Sequence, residues 1–273
     1  MTVRDLLAAG TDELSRAGVP SPRVDAEWLM AHALGVTRSE LYADGDETAE
    51  KERVFRELVA RRARREPLAY VLGEWGFRRL TLAVDPRVLI PRPETEALVE
   101  RCLELVAGLA EPRVLDIGVG SGAIALAIKD EHNGARVIAT ESSADALAVA
   151  MANVQRTGLD VELVEVELFA GLDGPFDLVV SNPPYVGAEE IDGLEPEVAA
   201  HEPRAALIES GQTAAIAEQA LSRLAPGGAL ALEVADGKAH EVAELLRRLG
   251  YADVSIGEDL GGRERVVDGR ATR

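Results

Sequence analysis

The stretch Val114-Leu115-Asp116-Ile117-Gly118-Val119-Gly120-Ser121-Gly122-Ala123 decides the fold of this chain of 273 residues. It is a short apolar run that contains one acidic residue and leads into three glycines at alternate positions. The order predicts a buried strand, a tight turn and the start of a helix, because glycines let the backbone approach a ligand and let the helix pack near the sheet. Such a unit is typical of a parallel sheet that binds a ligand beyond the carboxyl ends of its strands.

On either side of this unit, strand and helix patterns alternate. Short runs rich in Val, Ile and Leu lie at 113–117, 136–140, 161–166, 177–180 and 228–235, and helical patterns separate them at 121–130, 144–156, 210–224 and 238–249. This alternation predicts an α/β fold with a mostly parallel sheet covered on both faces. The last two strand candidates, 252–257 and 264–268, have no helix between them. They predict an antiparallel hairpin at the edge of a seven-stranded, Rossmann-like sheet.

The first 73 residues differ from the rest in pattern and charge. They read as short helices and carry 11 basic and 13 acidic side chains, against 18 and 35 in residues 74–273. A break of this kind indicates two parts with different surfaces. We therefore expect a small helical bundle over 1–73, a hairpin linker over 74–90 and a ligand-binding domain over 91–273.

Four arginines cluster near the end of the helical part, at positions 61, 62, 64 and 65. We interpret them as a solvated helix face whose side-chain stems cover apolar surface. Contact with an acidic partner or with ribosomal RNA is the alternative.

Composition excludes several classes of protein. A formal net charge of −19 argues against stable binding of double-stranded DNA, which requires a basic surface that displaces counterions. The single cysteine, Cys102, excludes an internal disulfide framework and a multi-cysteine zinc site, and the four histidines show no metal-ligand spacing, so we expect no metal. No run approaches the roughly 18 apolar residues of a membrane span, and the start lacks the apolar core of a signal peptide. The expectation is a cytoplasmic protein without membrane contact.

The glycine spacing predicts the kind of ligand. A dinucleotide site needs G-x-G-x-x-G with the pyrophosphate at the helix start, whereas this loop reads G-x-G-x-G after Asp116. That pattern suits a ligand without phosphates whose positive end tolerates a nearby carboxylate, such as S-adenosylmethionine. Glu141, after the next strand, stands where an acid would hold ribose hydroxyls. The alternatives for the loop are a nicotinamide site or a purely structural turn. Glu141 could instead be a solvated loop acid, and Asp116 an acid that only ends its strand.

A second motif, Asn182-Pro183-Pro184-Tyr185, follows the fourth strand and should face the same crevice as Gly118. A planar NH2 group has two hydrogens, of which the Asn182 side-chain oxygen can accept one and the Pro183 carbonyl the other. Tyr185 can stack on the flat group. Such positioning contributes about 7–11 kcal/mol to methyl transfer, and no ordinary general base is required because the proton can leave after alkylation. A plain Asn-Pro-Pro turn is the alternative.

Together with four further segments, these motifs make the chain resemble a known family, the peptide chain release factor glutamine N(5)-methyltransferases of the PrmC/HemK group. The segments are REPLAYVLG at 65–73, LIPRPETE at 89–96, EPRAAL at 202–207 and ERV at 264–266. The segment at 89–96 discriminates most, because generic amino-methyltransferases of this sheet class lack it. The resemblance covers nearly the whole chain.

The resemblance implies a cofactor, a substrate and site residues. It implies a helical domain that docks the protein substrate, and methylation of the glutamine in the Gly-Gly-Gln tip of class 1 release factors, which modulates translation termination. The cofactor would be S-adenosylmethionine, bound by Asp116, Gly118, Val119, Gly120, Ser121, Gly122, Glu141, Glu167, Leu168 and Asn182. The catalytic residues that bind the glutamine amide would be Asn182, Pro183, Pro184 and Tyr185. The expected partners are release factors alone, with no stable nucleic-acid binding, and the default expectation is a monomer.

Two other functions stay open. An N(6)-adenine or other nucleic-acid amino-methyltransferase would bind its substrate with the same Asn-Pro-Pro-Tyr motif, because adenine also presents a planar NH2 group. The net charge of −17 on residues 74–273 argues against an enzyme that must hold an anionic backbone. A catalytically silent cofactor-binding adaptor is the third hypothesis, and the intact Asn182 argues against it.

Overall fold

The computed structural model describes residues 2–41 and 49–272, apart from the side chain of Ala49. The chain divides into two compact units. The first runs to Glu74 and includes the later segment Leu194–His201, and the second contains Trp75–Gly193 and continues from Glu202. The domain boundaries expected from the sequence, after residues 73 and 90, stay predictions.

The first unit is helical, as the sequence predicts. Its helices are α1 (Val3–Arg16), α2 (Pro22–Leu34), α3 (Ala49–Ala63) and α4 (Leu68–Leu72). A fifth helix, Pro196–His201, comes much later in the chain and is numbered α8, because α5 to α7 belong to the second unit. Thr2 begins α1 with a capping box, in which its side chain and that of Asp5 each accept a hydrogen bond from the other's backbone N–H. The fully buried side chains of this unit include those of Leu7, Leu14, Leu29 and Phe55. They give the unit a hydrophobic core of its own.

Buried ion pairs fasten α8 within this unit. Arg62 is 5% exposed, its Nε donates to Asp25 Oδ2 at 2.8 Å, and its Nη1 lies 2.8 Å from Glu197 Oε1. Arg65 Nη2 donates to Glu197 Oε2 at 2.6 Å. Of the four clustered arginines, only Arg64 is exposed. The interpretation of this cluster as a solvated face is therefore wrong for Arg62, since its charge is neutralised inside the unit.

The second unit is the α/β part of the chain. A two-stranded hairpin of β1 (Glu74–Phe77) and β2 (Leu80–Ala83) precedes the main sheet along the chain. The main sheet consists of β3 (Arg113–Ile117), β4 (Arg136–Glu141), β5 (Val161–Glu165), β6 (Phe176–Ser181), β7 (Leu224–Glu233), β8 (Ala252–Glu258) and β9 (Glu264–Arg270). The accompanying helices are α5 (Thr95–Val106), α6 (Ala123–Glu131), α7 (Ala144–Thr157), α9 (Gln212–Leu221) and α10 (Ala239–Leu249).

The sheet confirms the predicted fold class. Its strand order is β5-β4-β3-β6-β7-β9-β8, parallel throughout except for β9, which is antiparallel to both β7 and β8. In register, Ile117 lies beside Thr140 on one neighbour and Ser181 on the other. The carboxyl ends of the three central strands therefore meet at one edge of the sheet, directly before the two sequence motifs.

Both faces of the sheet are covered. Val114 and Leu115 are adjacent on β3 but belong to different hydrophobic clusters, because successive side chains of a strand point to opposite faces. Leu98 and Leu126 pack in the first cluster, with α5 and α6. Ile216 and Leu246 pack in the second, with α9 and α10. No helix in the described part of the chain is both long and apolar enough to span a membrane.

Candidate active site

A cavity of about 400 Å³ opens at the carboxyl ends of the central strands. Its size falls in the range of small-molecule sites. Both sequence motifs contribute to its wall, together with the segment at 87–92 and the loops after β4, β5 and β6. The predicted site residues that line it are Gly118, Val119, Gly120, Ser121, Glu141, Glu167, Leu168, Asn182, Pro183 and Pro184.

The glycine loop presents bare backbone to this cavity. Gly118 and Gly120 adopt left-handed backbone angles, with φ of +77° and +52°, and a Cβ built on either would meet no atom within 4 Å. The amides of Gly118 and Val119 both donate to Thr140 O at 2.9 Å, which fixes the turn against β4. The loop is thus a concave backbone surface on which a flat ligand can lie.

Gly122 has a different position from the other two glycines. It precedes α6 with φ of +89°, does not line the cavity, and a Cβ there would lie 3.0 Å from Leu126 Cδ1. Its small size allows the helix to pack closely on the turn.

Asp116 lies below the loop and is 1% exposed. Its Oδ2 accepts a hydrogen bond from Ala125 N at 3.1 Å, and its Oδ1 has no partner among the described residues. Burial, together with the nearby charge of Glu141, raises the pKa of this carboxyl to about 7, although the hydrogen bond from Ala125 N opposes the rise. Asp116 does not line the cavity, so a role toward a ligand would be electrostatic or through its free oxygen.

Glu141 is held rigidly at the cavity wall by backbone amides. Its Oε2 accepts from Gly120 N at 3.1 Å, and its Oε1 accepts from Ser142 N and Ser143 N at 2.9 and 3.0 Å. Each carboxylate oxygen has more than one lone pair, so the group can also accept hydrogen bonds from vicinal hydroxyls. This geometry fits a ribose. Thr140 Oγ1, buried nearby without a partner in the described chain, is a further polar atom that sequence reasoning missed.

The two arginines of the cavity wall are already paired with acids. Arg87 forms an ion pair with Asp85, and Arg92 forms one with Glu202, whose side chain is buried. A pyrophosphate would favour unpaired cations, which these two arginines do not supply. The carboxylate of Glu141 in the wall, with the buried carboxyl of Asp116 below the loop, instead suits a ligand with a positive group and a ribose, which is the chemistry of S-adenosylmethionine.

The Asn182 motif is held next to the glycine loop by a hydrogen bond between the strands that precede them. Ser181 Oγ donates to Ile117 O at 2.7 Å, which joins the end of β6 to the start of the glycine loop. Asn182, Pro183 and Pro184 line the cavity, whereas Tyr185 does not. Burial raises the pKa of Tyr185, and the charge of Glu233 contributes to the rise. The structure therefore places Asn182 and Pro183 in the same cavity as the glycine loop, and Tyr185 just beside that cavity.

Comparison with known proteins identifies the family. Residues 5–73 match the model of the PrmC N-terminal domain, and residues 94–254 match that of the methyltransferase small domain. A release factor glutamine methyltransferase of Deinococcus radiodurans is 44% identical, over 99% of both chains. One from Geobacter sulfurreducens is 42% identical, over 98% of this chain and 96% of the relative. The chain belongs to the release factor glutamine methyltransferase family. The resemblance inferred from the sequence is confirmed.

Solved structures with lower identity confirm the fold of the family member. The hMettl16 catalytic domain, in complex with a MAT2A 3′UTR hairpin, superposes with a TM-score of 0.59 at 21% identity, covering 80% of this chain and 81% of that one. A methyltransferase from Pyrococcus furiosus gives a TM-score of 0.51 at 22% identity, over 69% and 87% of the two chains. At these identities the likeness concerns the fold alone.

Two residues beside Asn182 were missed by sequence reasoning. Asn182 Nδ2 donates to Thr95 Oγ1 at 3.4 Å, at the start of α5. Glu233, the last residue of β7, is 1% exposed, and its Oε2 has no hydrogen-bond partner in the described residues. Burial raises the pKa of Glu233 to about 7, partly offset by hydrogen bonding with Thr95 and Asn182. The available signals were the family segment at 89–96, which contains Thr95, and a lone acid in the apolar run at 228–235.

Proposed function

We propose that this protein transfers a methyl group from S-adenosylmethionine to the side-chain amide nitrogen of a glutamine in a release factor. In its finer form, the substrate is the glutamine of the Gly-Gly-Gln tip of class 1 release factors, and methylation modulates translation termination. The observation that carries the proposal is that Asn182 and the glycine loop at 118–121 line one cavity in a member of this family.

The residues of the chain have three tasks in this reaction. The loop at 118–121 and Glu141 hold the cofactor, which supplies an electrophilic methyl group on a sulfonium. Asn182 Oδ1 and the carbonyl of Pro183 accept the two hydrogens of the substrate amide, so that the nitrogen presents its face to the methyl group. Tyr185 lies just beside the cavity, from where its ring would stack on the flat amide of the bound substrate and exclude water.

Positioning is the main source of catalysis at such a site. Holding the nitrogen in line with the methyl group removes the entropic cost of the encounter, which contributes about 7–11 kcal/mol. The same two acceptors give specificity, because a glutamate at the substrate position has no NH2 hydrogens to donate. A site built to accept hydrogen bonds rejects such an analogue by about 10⁴-fold.

A labelling experiment tests the proposed function. Purified protein with S-adenosylmethionine labelled in its methyl group should label a purified release factor and leave unlabelled the same factor with its tip glutamine changed to alanine. Mass spectrometry of the tip peptide from a co-expressed factor should show the added methyl group on that glutamine. Labelling of duplex DNA without labelling of the factor would instead support the amino-methyltransferase of nucleic acids.

The partners and location follow from this function. The proposal includes release factors as protein partners, no stable complex with nucleic acid, a monomeric enzyme and action in the cytoplasm, where translation ends. The strongly acidic second unit supports the absence of stable nucleic-acid binding. Size-exclusion chromatography with light scattering measures the oligomeric state directly.

A further inference from the structure

We propose that Thr95 and Glu233 are positioning residues that orient the Asn182 side-chain amide, so that its oxygen rather than its NH2 group faces the substrate. This inference rests on the proposed function, in which Asn182 Oδ1 must accept a hydrogen from the glutamine amide. It assigns a task to two buried polar residues at the wall of the cavity.

The fold places the three side chains together from three distant segments. Strands β6 and β7 run parallel with Ser181 beside Leu232. Asn182, directly after β6, therefore lies next to Glu233, the last residue of β7. Thr95, which is buried, reaches the same point from the first turn of α5 and accepts from Asn182 Nδ2 at 3.4 Å. The Asn182 side chain therefore meets a hydroxyl and a carboxyl on its inner side.

The orientation follows from which of these groups donate and which accept. The two ends of an asparagine amide have nearly the same shape, so its neighbours decide which end faces inward. An ionised Glu233 is an acceptor only. The Thr95 hydroxyl can donate to Glu233 and still accept from Asn182 Nδ2. The inner side thus favours the NH2 group, which leaves Oδ1 for the substrate.

The reversed amide would disable the site. If Oδ1 faced inward, the NH2 group of Asn182 would meet the NH2 group of the substrate glutamine, and two donors would oppose each other. The Glu233 carboxylate would also face the Asn182 oxygen without a hydrogen between them. Both effects disfavour the reversed orientation as long as Glu233 is ionised.

Protonation of Glu233 would weaken this preference, because a protonated carboxyl can donate to Oδ1. The charged groups around Glu233 are Arg265 on β9, which lowers its pKa, and Glu94 before α5, which raises it; Tyr185 is the neighbouring phenol. Burial is the largest influence and raises the pKa to about 7. Turnover should accordingly rise with pH through the neutral range as Glu233 ionises.

Three variants and one matched control test the inference. Glu233→Gln should lower kcat by about 10- to 100-fold, the range expected for losing a hydrogen bond to a charged group, and should abolish the rise with pH near 7. Thr95→Val should lower kcat similarly, and Thr95→Ser, which keeps the hydroxyl, should retain most of it. In all three variants the Kd for S-adenosylmethionine, measured by calorimetry, should stay within about twofold of wild type, because an effect limited to Asn182 leaves the cofactor site intact. The control is Glu258→Gln, which neutralises an exposed glutamate at the end of β8 and should leave kcat and its pH profile unchanged.

The outcomes separate this inference from the proposed function. Failure of wild type and Glu258→Gln to label the release factor would contradict the function itself. With both active, an unchanged kcat and pH profile in Glu233→Gln would overturn the positioning role, as would a Thr95→Ser variant that falls as far as Thr95→Val. If Glu233→Gln fails to fold, the difference in kcat between Thr95→Val and Thr95→Ser tests the positioning role instead.

Discussion

Asn153 binds both polar backbone atoms of Ala83. Its Oδ1 accepts from Ala83 N at 2.7 Å, and its Nδ2 donates to Ala83 O at 2.9 Å and to Ser121 O at 2.8 Å. The side chain is completely buried. A single residue of α7 therefore joins the end of the β1–β2 hairpin to the glycine loop that forms the cofactor cavity.

Replacing this residue should weaken both the fold and the cavity. Asn153→Leu has a similar volume but removes the hydrogen-bond partner of the buried Ser121 carbonyl and of the partly buried carbonyl and N–H of Ala83. A fully buried group left without a partner costs about 1–3 kcal/mol. We expect a fall in Tm of at least about 5 °C, since about 1 kcal/mol corresponds to 2–4 °C for a chain of this size. Weaker binding of S-adenosylmethionine should accompany it, because Ser121 lines the cavity. Differential scanning calorimetry and titration calorimetry measure the two effects.

The matched control is Asn133→Leu, at an exposed position where the same change should leave Tm nearly unaltered. Equal Tm values for Asn153→Leu and wild type would show that the three hydrogen bonds contribute nothing net to stability.

Gly120→Val should block the cofactor while leaving the protein folded. A valine would carry a left-handed φ at a strain of about 1–2 kcal/mol, which a stable domain tolerates. Its side chain would extend into the open space that the glycine borders, where the ligand is expected to lie. Titration calorimetry should detect no binding of S-adenosylmethionine, with an unchanged far-UV circular dichroism spectrum.

Gly108→Val serves as the comparison for Gly120→Val. Gly108 also has open space around it but lies at the end of α5, away from the cavity, and its φ is not left-handed. If Gly120→Val bound S-adenosylmethionine with normal affinity, the glycine loop would not be part of the cofactor site.

Local pattern predicted most of the sheet and little of the polar network. The order of strands and helices follows from apolar runs whose periods are visible within ten residues, such as 113–117 and 136–140. The ion pair between Arg65 and Glu197 joins residues 132 positions apart, and the hydrogen bond from Asn182 to Thr95 joins residues 87 apart. Charged and hydroxyl residues leave no periodic signal that reveals a distant partner. The sequence pattern consequently predicts a solvated Arg62 and indicates no role for Thr95 or Glu233.

The buried pairs of Glu197 predict a dependence of stability on acid pH. Burial disfavours its ionised form, but hydrogen bonds from Arg65 and Arg62 outweigh this effect and lower the pKa from 4.5 to about 2. A lowered carboxyl pKa stabilises the fold fully above the unfolded value, and this stabilisation is lost as pH falls toward the folded value. Glu197→Gln should therefore be less stable than wild type at pH 7, and the difference should shrink between pH 5 and pH 2.

Urea unfolding midpoints across this pH range measure the difference. Glu13→Gln, at an exposed position on α1, is the control for general loss of an acid and should follow the wild-type curve. A constant gap between Glu197→Gln and wild type from pH 7 to pH 2 would mean that the ion pairs do not depend on the charge of Glu197.

Substitutions of Asn182 separate hydrogen-bond acceptance from amide orientation. Asn182→Ala removes the acceptor and should abolish turnover while largely sparing cofactor affinity; surviving turnover would contradict the two-acceptor arrangement. Asn182→Asp keeps an oxygen toward the substrate and should retain partial activity.

In the Asn182→Asp variant the two orientations of the side chain are equivalent, because both outer atoms of a carboxylate are oxygens. Thr95→Val should therefore reduce kcat by about 10-fold or more in the wild-type background and by much less in the Asn182→Asp background. This double-mutant cycle isolates the contact between the two side chains from any general damage, since damage to the fold would lower kcat equally in both backgrounds. Equal reductions would assign Thr95 a purely structural role at the start of α5.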